Sequence, residues 1–160
     1  NKMKKNKRSI AKLIIVALIV CFSMTFFTTT SKAFDSNIQI EKLSDGSYFE
    51  TIIIEEPNTR TSNTKSATKT VNYKNSKGSI LWTVSVHGTF TYTGSSSKCT
   101  LSTVSTNIYD SNWKITSKSS SKSGNKAIAK ATAKLYQSGV AIQTVSKTVT
   151  LTCSANGNMS

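Results

Sequence analysis

The stretch Ile80-Leu-Trp-Thr-Val-Ser-Val-His-Gly-Thr-Phe-Thr-Tyr92 limits the fold more than any other part of the chain. Counted in twos, Ile80, Trp82, Val84, Val86, Gly88, Phe90 and Tyr92 fall on one side. Leu81, Thr83, Ser85, His87, Thr89 and Thr91 fall on the other. A period of two, carried by β-branched and aromatic residues, predicts a long strand with one buried and one wet face. Such a strand belongs in an antiparallel β domain.

Strand signals recur on both sides of it. Thr70-Val-Asn-Tyr-Lys74 runs into Asn75-Ser-Lys-Gly78, a hairpin turn with glycine where a positive φ is needed. Beyond Gly94-Ser-Ser-Ser97, Lys98–Thr106 predicts a third strand, with Cys99 and Leu101 on one face. Trp113-Lys-Ile-Thr116 opens a fourth, which turns at Ser123-Gly-Asn125. Lys126–Tyr136 and Val140–Cys153, joined at Ser138-Gly139, predict the fifth and sixth. The fifth carries helix formers, with Lys126, Lys130 and Lys134 at i, i+4 spacing. Its alternation of Ala127, Ala129, Ala131, Ala133 and Leu135 between two hairpin turns favours a strand. About six strands and no convincing helix predict an all-β, antiparallel, immunoglobulin-like two-sheet sandwich over residues 65–160. Val145, Val149, Leu151 and Cys153 share a face, so Cys99 and Cys153 are both expected to point inward.

The start of the chain reads as an address. Lys2, Lys4, Lys5, Lys7, Arg8 and Lys12 precede an apolar run from Leu13 to Val20, and Ser31-Lys32-Ala33 offers small residues for cleavage. This predicts a secretory signal peptide over 1–33, and no transmembrane anchor in the mature chain. Export makes an even cysteine count meaningful. A Cys99–Cys153 disulfide is expected, closing a long loop with a contribution of roughly 4 kcal/mol.

Cleavage there removes seven of the 21 basic residues and none of the seven acids, lowering the net charge from +14 to +7. The remaining charge is segregated. Phe34–Pro57 holds six acids against Lys42, whereas Asn58–Ser160 holds 13 basic residues against Asp110 alone. Residues 34–64 therefore read as an acidic extension and linker, either a propeptide cut near Arg60 or an extra edge for the sheet.

Catalytic groups are scarce. His87 is the only histidine, on the wet face of its strand, and Asp110 is the sole carboxylate after residue 57. No nucleophile elbow, phosphate loop or dinucleotide fingerprint accompanies them. The reading is non-enzymatic, with no catalytic residues, no metal and no cofactor. Two surface features remain as candidates. Lys114, Lys118, Lys122, Lys126, Lys130 and Lys134 present a positive field suited to a polyanion. Tyr109 and Trp113 flank a turn and are a candidate ligand platform. Arg60 is the only arginine after residue 33, which argues against specific nucleic-acid readout.

Lys74–Tyr92 and Leu151-Thr-Cys-Ser-Ala-Asn-Gly157 resemble small exported proteins of Gram-positive bacteria that carry no assigned activity. The resemblance covers about residues 65–160 and implies a secreted immunoglobulin-like domain, with no catalytic residues to carry over. The expected function is a secreted binding module attracted to anionic cell-envelope polymers, or to another surface protein. The alternative is an antibacterial or membrane-active toxin masked by its acidic segment. The oligomeric state is left open.

Overall fold

The structure, a computed structural model, describes residues 38–57 and 63–160. The expected signal peptide over 1–33 and the cleavage candidate Arg60 lie outside the described residues. Eight strands follow in order: β1 Gln39–Lys42, β2 Tyr48–Glu55, β3 Thr64–Lys74, β4 Ile80–Tyr92, β5 Ser97–Ile108, β6 Trp113–Ser123, β7 Lys126–Gln137 and β8 Val140–Thr152. They form two antiparallel sheets, β1-β2-β3-β4-β5 and β6-β7-β8. The domain is all-β, but with eight strands instead of six. The additional pair, β1 and β2, comes from the acidic extension.

Strand order in each sheet follows the sequence, so each sheet is a meander. Among the described residues the Greek-key return of an immunoglobulin domain is absent, because the strands that pair within each sheet are consecutive in sequence. At the β3–β4 turn Asn75 makes the geometry. Its side-chain oxygen accepts from Lys77 N and Ser79 N, each at 3.0 Å, and Gly78 adopts φ +86°.

From Trp82 onward β4 is buried as its alternation predicts, whereas a bulge at Leu81 pairs Ile80 with Lys74 of the outer face and packs Leu81 against the core, the reverse of the expected facing. Trp82, Val84, Val86 and Phe90 are fully enclosed. On its opposite face, hydroxyl pairs link it to β3: Ser66 with Thr89 (2.9 Å) and Thr70 with Ser85 (2.8 Å). Cross-strand pairs of this kind fix register. β7 is a strand, and Ala127, Ala129, Ala131 and Ala133 all face the core at 0–2% exposure. Opposite them lies Gly88, where an added Cβ would fall 2.8 Å from the Ala127 Cβ and 2.7 Å from the Phe90 ring. A side chain larger than hydrogen has no room at this point between the sheets. At the other end, Phe49, Tyr73, Trp82 and Trp113 fill the space between the sheets, with ring centroids 5.1–6.5 Å apart.

Two expectations are corrected here. Cys99 and Cys153 do face the core, but they are free thiols rather than a disulfide. Each sulfur has its own local acceptor: Cys99 Sγ donates to Leu101 O (3.2 Å) and Cys153 Sγ to Ser154 O (3.4 Å). Burial raises both thiol pKa values, which keeps them protonated. Leu101 does not share the face of Cys99. The ladder shifts between Thr89 and Phe90, so Phe90 pairs with Cys99 and Thr89 with Leu101, which is left 47% exposed. One extra residue reverses facing.

β1 and β2 are integral to the sheet. β2 pairs with β3 along its whole length, and Phe49 enters the core at 4% exposure. Removing this acidic piece would unpair the edge of β3 and uncover Tyr73.

Substituting Gly88→Ala should destabilise the fold by about 1–3 kcal/mol, because the new methyl meets another Cβ and a packed ring. A lowered urea midpoint with unchanged slope would record it. A thiol-titrating reagent should leave Cys99 and Cys153 unmodified in the native protein and modify both on unfolding in denaturant without reductant. Absence of those thiols after unfolding would mean that they are bridged.

Candidate functional site

The three-stranded sheet carries the lysines singled out in the sequence, and its strands contain no Asp or Glu. The structure divides those lysines into two sets. On β7, Lys126, Lys130 and Lys134 alternate with the buried alanines and so point away from the core. Lys114 lies directly opposite Lys134 and joins them on the outer face. Four residues along a strand is roughly 13 Å, so the outer lysines form a widely spaced row.

Lys118 and Lys122 depart from it. β6 contains a bulge between Ile115 and Ser117, after which Lys118 pairs with Ala131 and Lys122 with Ala127. Both therefore stand on the side of the sheet that carries the alanines, yet remain exposed at its edge. Lys122 Nζ reaches across to donate to the Thr100 carbonyl on β5 at 2.6 Å. Thus Lys114, Lys126, Lys130 and Lys134 form one surface, and Lys118 and Lys122 another. The uniform i, i+4 spacing gave no sign of the division, since a bulge leaves no obligatory residue signature.

Lys114 Nζ sits 5.0 Å from the Tyr136 ring centroid. That contact lends the otherwise unmatched cation some stabilisation, on the order of 0.5–1 kcal/mol for an exposed site. Apart from Lys147, which meets Glu41 of β1, no lysine of this sheet is in an ion pair with a described acid.

The aromatic platform does not form. Trp113 is 3% exposed and stands edge-on to Tyr73, 5.4 Å between centroids, whereas Tyr109 is 61% exposed on the β5–β6 turn. Trp113 is core. His87 faces outward, with Nδ1 3.2 Å from Thr68 Oγ1 and 3.5 Å from Glu56 Oε1. Asp110 belongs to the turn beside Leu81, where its carboxylate accepts from Asn112. Six strand residues, roughly 20 Å, separate Leu81 from His87, so the two titratable groups do not meet. Among the described residues no group of three His, Cys, Asp or Glu side chains is arranged to hold a metal ion. Nor is any helix there long and apolar enough to cross a membrane.

The carboxylates gather on the other sheet, where most are neutralised. Glu50 pairs with Lys74 at 2.7 Å and accepts from Asn72 Nδ2 at 3.0 Å. Glu55 pairs with Lys65 at 2.6 Å, and Glu41 with Lys147 at 2.6 Å. No protein-family model, curated protein or solved structure matches the chain.

The Lys74 and Asn72 hydrogen bonds hold the Glu50 carboxyl below its ordinary range. Its contribution to stability is therefore present above about pH 4.5 and is lost as pH falls through the lowered native value. Glu50→Gln should cost about 1–2 kcal/mol at neutral pH and flatten this part of the acid-unfolding curve. Denaturant melts of both proteins from neutral pH downward would measure it.

Proposed function

We propose that the protein is a secreted, non-enzymatic binding module that associates with anionic polymers of the cell envelope through the outer face of β6 and β7. The observation that carries this reading is where the lysines sit. Lysine on an edge strand discourages sheets from pairing with one another. β7 is the central strand, hydrogen-bonded on both sides, so Lys126, Lys130 and Lys134 protect no edge. They stand on a carboxylate-free face with Lys114 beside them. Lysines are compact point charges on flexible stems, which suits a repeating polyanion better than planar, bidentate recognition. Export rests on the basic and apolar start of the sequence together with Ser31-Lys32-Ala33.

The toxin alternative requires the acidic stretch to leave a basic domain intact. The placement of Phe49 in the core and the pairing of β2 with β3 weigh against that.

The test is co-sedimentation of purified protein with Gram-positive cell walls, with and without their phosphate polymers. Binding should require the polymers and weaken by roughly tenfold as salt rises from about 0.05 M to about 0.3 M. The fourfold variant Lys114→Gln, Lys126→Gln, Lys130→Gln, Lys134→Gln should lose most of it while melting normally. Equal pelleting by wild type and variant, or pelleting indifferent to salt, would overturn the assignment.

A further inference from the structure

The five-stranded sheet is wider than the three-stranded one, and this leaves a seam. Strand contacts place β8 over β3 and β4, and β7 over β4 and β5. β1 and β2 project beyond β8. β5 and β6 close the opposite side, where Cys99 N donates to Gly124 O at 2.8 Å.

Polar side chains seal most of the open side. At one end Gln143 of β8 donates to Asp45 (3.4 Å), and Lys147 meets Glu41 above the Phe49 ring. At the other end Lys65 meets Glu55 and donates to the Gly157 carbonyl at 3.0 Å. Between the two lies a cleft of about 420 Å³, whose walls include Thr51, Ile53, Lys69, Thr150, Thr152 and Met159. That volume falls within the range of small-ligand sites, roughly 300–1,000 Å³.

Lys69 is the exceptional group. It lies between Ala67 and Val71 on the core-facing side of β3, with Ile53 and Val86 as cross-strand neighbours. Lys65 and Lys147 on the same seam each have a carboxylate, but among the described residues Lys69 has no hydrogen bond or ion pair, and no Asp or Glu side chain joins Ile38, Gln39 and Ser160 in completing the walls of the cleft. Among the described residues the Thr51 hydroxyl, on the same side of β2 as Phe49 and Ile53, is likewise unengaged by other side chains, whereas Thr150 and Thr152 border the cleft at the β8 edge with their side chains on the outer face, opposite Ile128 and Lys126.

We infer that this cleft binds a small amphipathic carboxylate, with its head on the Lys69 ammonium and the Thr51 hydroxyl, and its hydrocarbon body against Ile53 and Met159. A single ammonium matches a monoanion, and a dianion would leave one charge buried without a partner. The apolar walls select a hydrocarbon body over a free inorganic anion. Burial lowers the Lys69 pKa, because the core-facing side of β3 removes water from its ammonium. Lys69 is on the core-facing side of β3, apart from the outer lysines, and the cleft nears their face only at the β8 edge, where Thr152 pairs with Lys126.

The experiment is a titration of the purified, isotope-labelled protein with octanoate, followed by amide NMR shifts. Parallel titrations use octanol and inorganic phosphate. Saturable shifts are expected at Thr51, Ile53, Lys69, Thr150 and Thr152 with octanoate, weaker ones with octanol, and none with phosphate. Lys69→Met keeps the stem and removes the charge. It should weaken octanoate binding about tenfold or more, the effect of one charge-assisted contact, and leave octanol binding unchanged. Its melting temperature without ligand should equal or exceed that of wild type, which separates loss of the site from loss of the fold. The fourfold lysine variant of the outer face should bind octanoate normally. Equal binding of octanoate and octanol, undiminished binding by Lys69→Met, or shifts confined to Lys126, Lys130 and Lys134 would each overturn the proposal.

Discussion

The separation between the sheets is set where Gly88 meets Ala127. With no Cβ on one strand and a single methyl on the other, the backbones approach more closely there than any larger pair would allow. Interiors tolerate neither overlap nor voids, so this contact fixes what the neighbouring positions must be. Ala129, Ala131 and Ala133 continue the small row along β7. The volume that this row leaves unfilled is taken by side chains from the other sheet. Val84, Val86 and Phe90 come from β4, and Phe49, Tyr73 and Trp82, with Trp113 of β6, form an aromatic cluster in the same core. Trp82 Nε1 is the one buried side-chain polar atom without a partner among the described residues. An orphan indole N–H costs about 1–3 kcal/mol, which is offset here by an indole packed on three aromatic rings.

Unequal sheet widths follow from the same arrangement. The β7 alanines need cover from β4 and β5, which places β8 over β3 and leaves β1 and β2 without an opposing strand. Polar side chains do the closing there, since water reaches them and hydrophobic residues would gain little. The acids of the N-terminal extension are consumed in this work. Glu41 and Glu55 each meet a lysine on the core-facing side of the seam, and Glu50 meets Lys74 on the outer face. What reads in the sequence as an acidic block with a basic partner is, in the fold, a set of local cross-strand and cross-sheet pairs.

How much of this is legible from residues alone depends on whether parity survives. β4 has no interruption within its buried run, so its inward set is read directly from alternation, as is the alanine face of β7. Parity fails at bulges. One at Thr100 of β5, opposite the Thr89–Phe90 step, sends Leu101 outward, and one in β6 parts Lys118 and Lys122 from Lys114. Neither bulge has a glycine to mark it. The pairing of β1 and β2 was visible only as isoleucines among acids, because a strand whose outer face is charged resembles a solvated segment. Trp113 illustrates another limit. A turn-flanking aromatic has the same sequence appearance whether it faces water or caps a core, and only the position of Tyr73 across the sandwich decides it. Lys69 is the strongest case. Nothing in Thr68-Lys-Thr70 distinguishes it from the surface lysines until β8 is seen to stop short of covering it.

The outer face of β6 and β7 is electrostatically costly as it stands. Lys114 and Lys134 are directly opposed, and like charges across a strand pair are mutually destabilising. A surface selected for solubility alone would relieve this by interspersing acids, and strands β2 and β3 show that the chain does so elsewhere. In the proposed association, these charges on a central strand with no edge to guard would lose their mutual repulsion once an anionic chain lay across them. Such a polymer would exchange its small counterions for fixed ammonium groups without rearranging the sheet. On that proposal, the repulsion tolerated in the free protein would favour the bound one, the more so as salt is withdrawn.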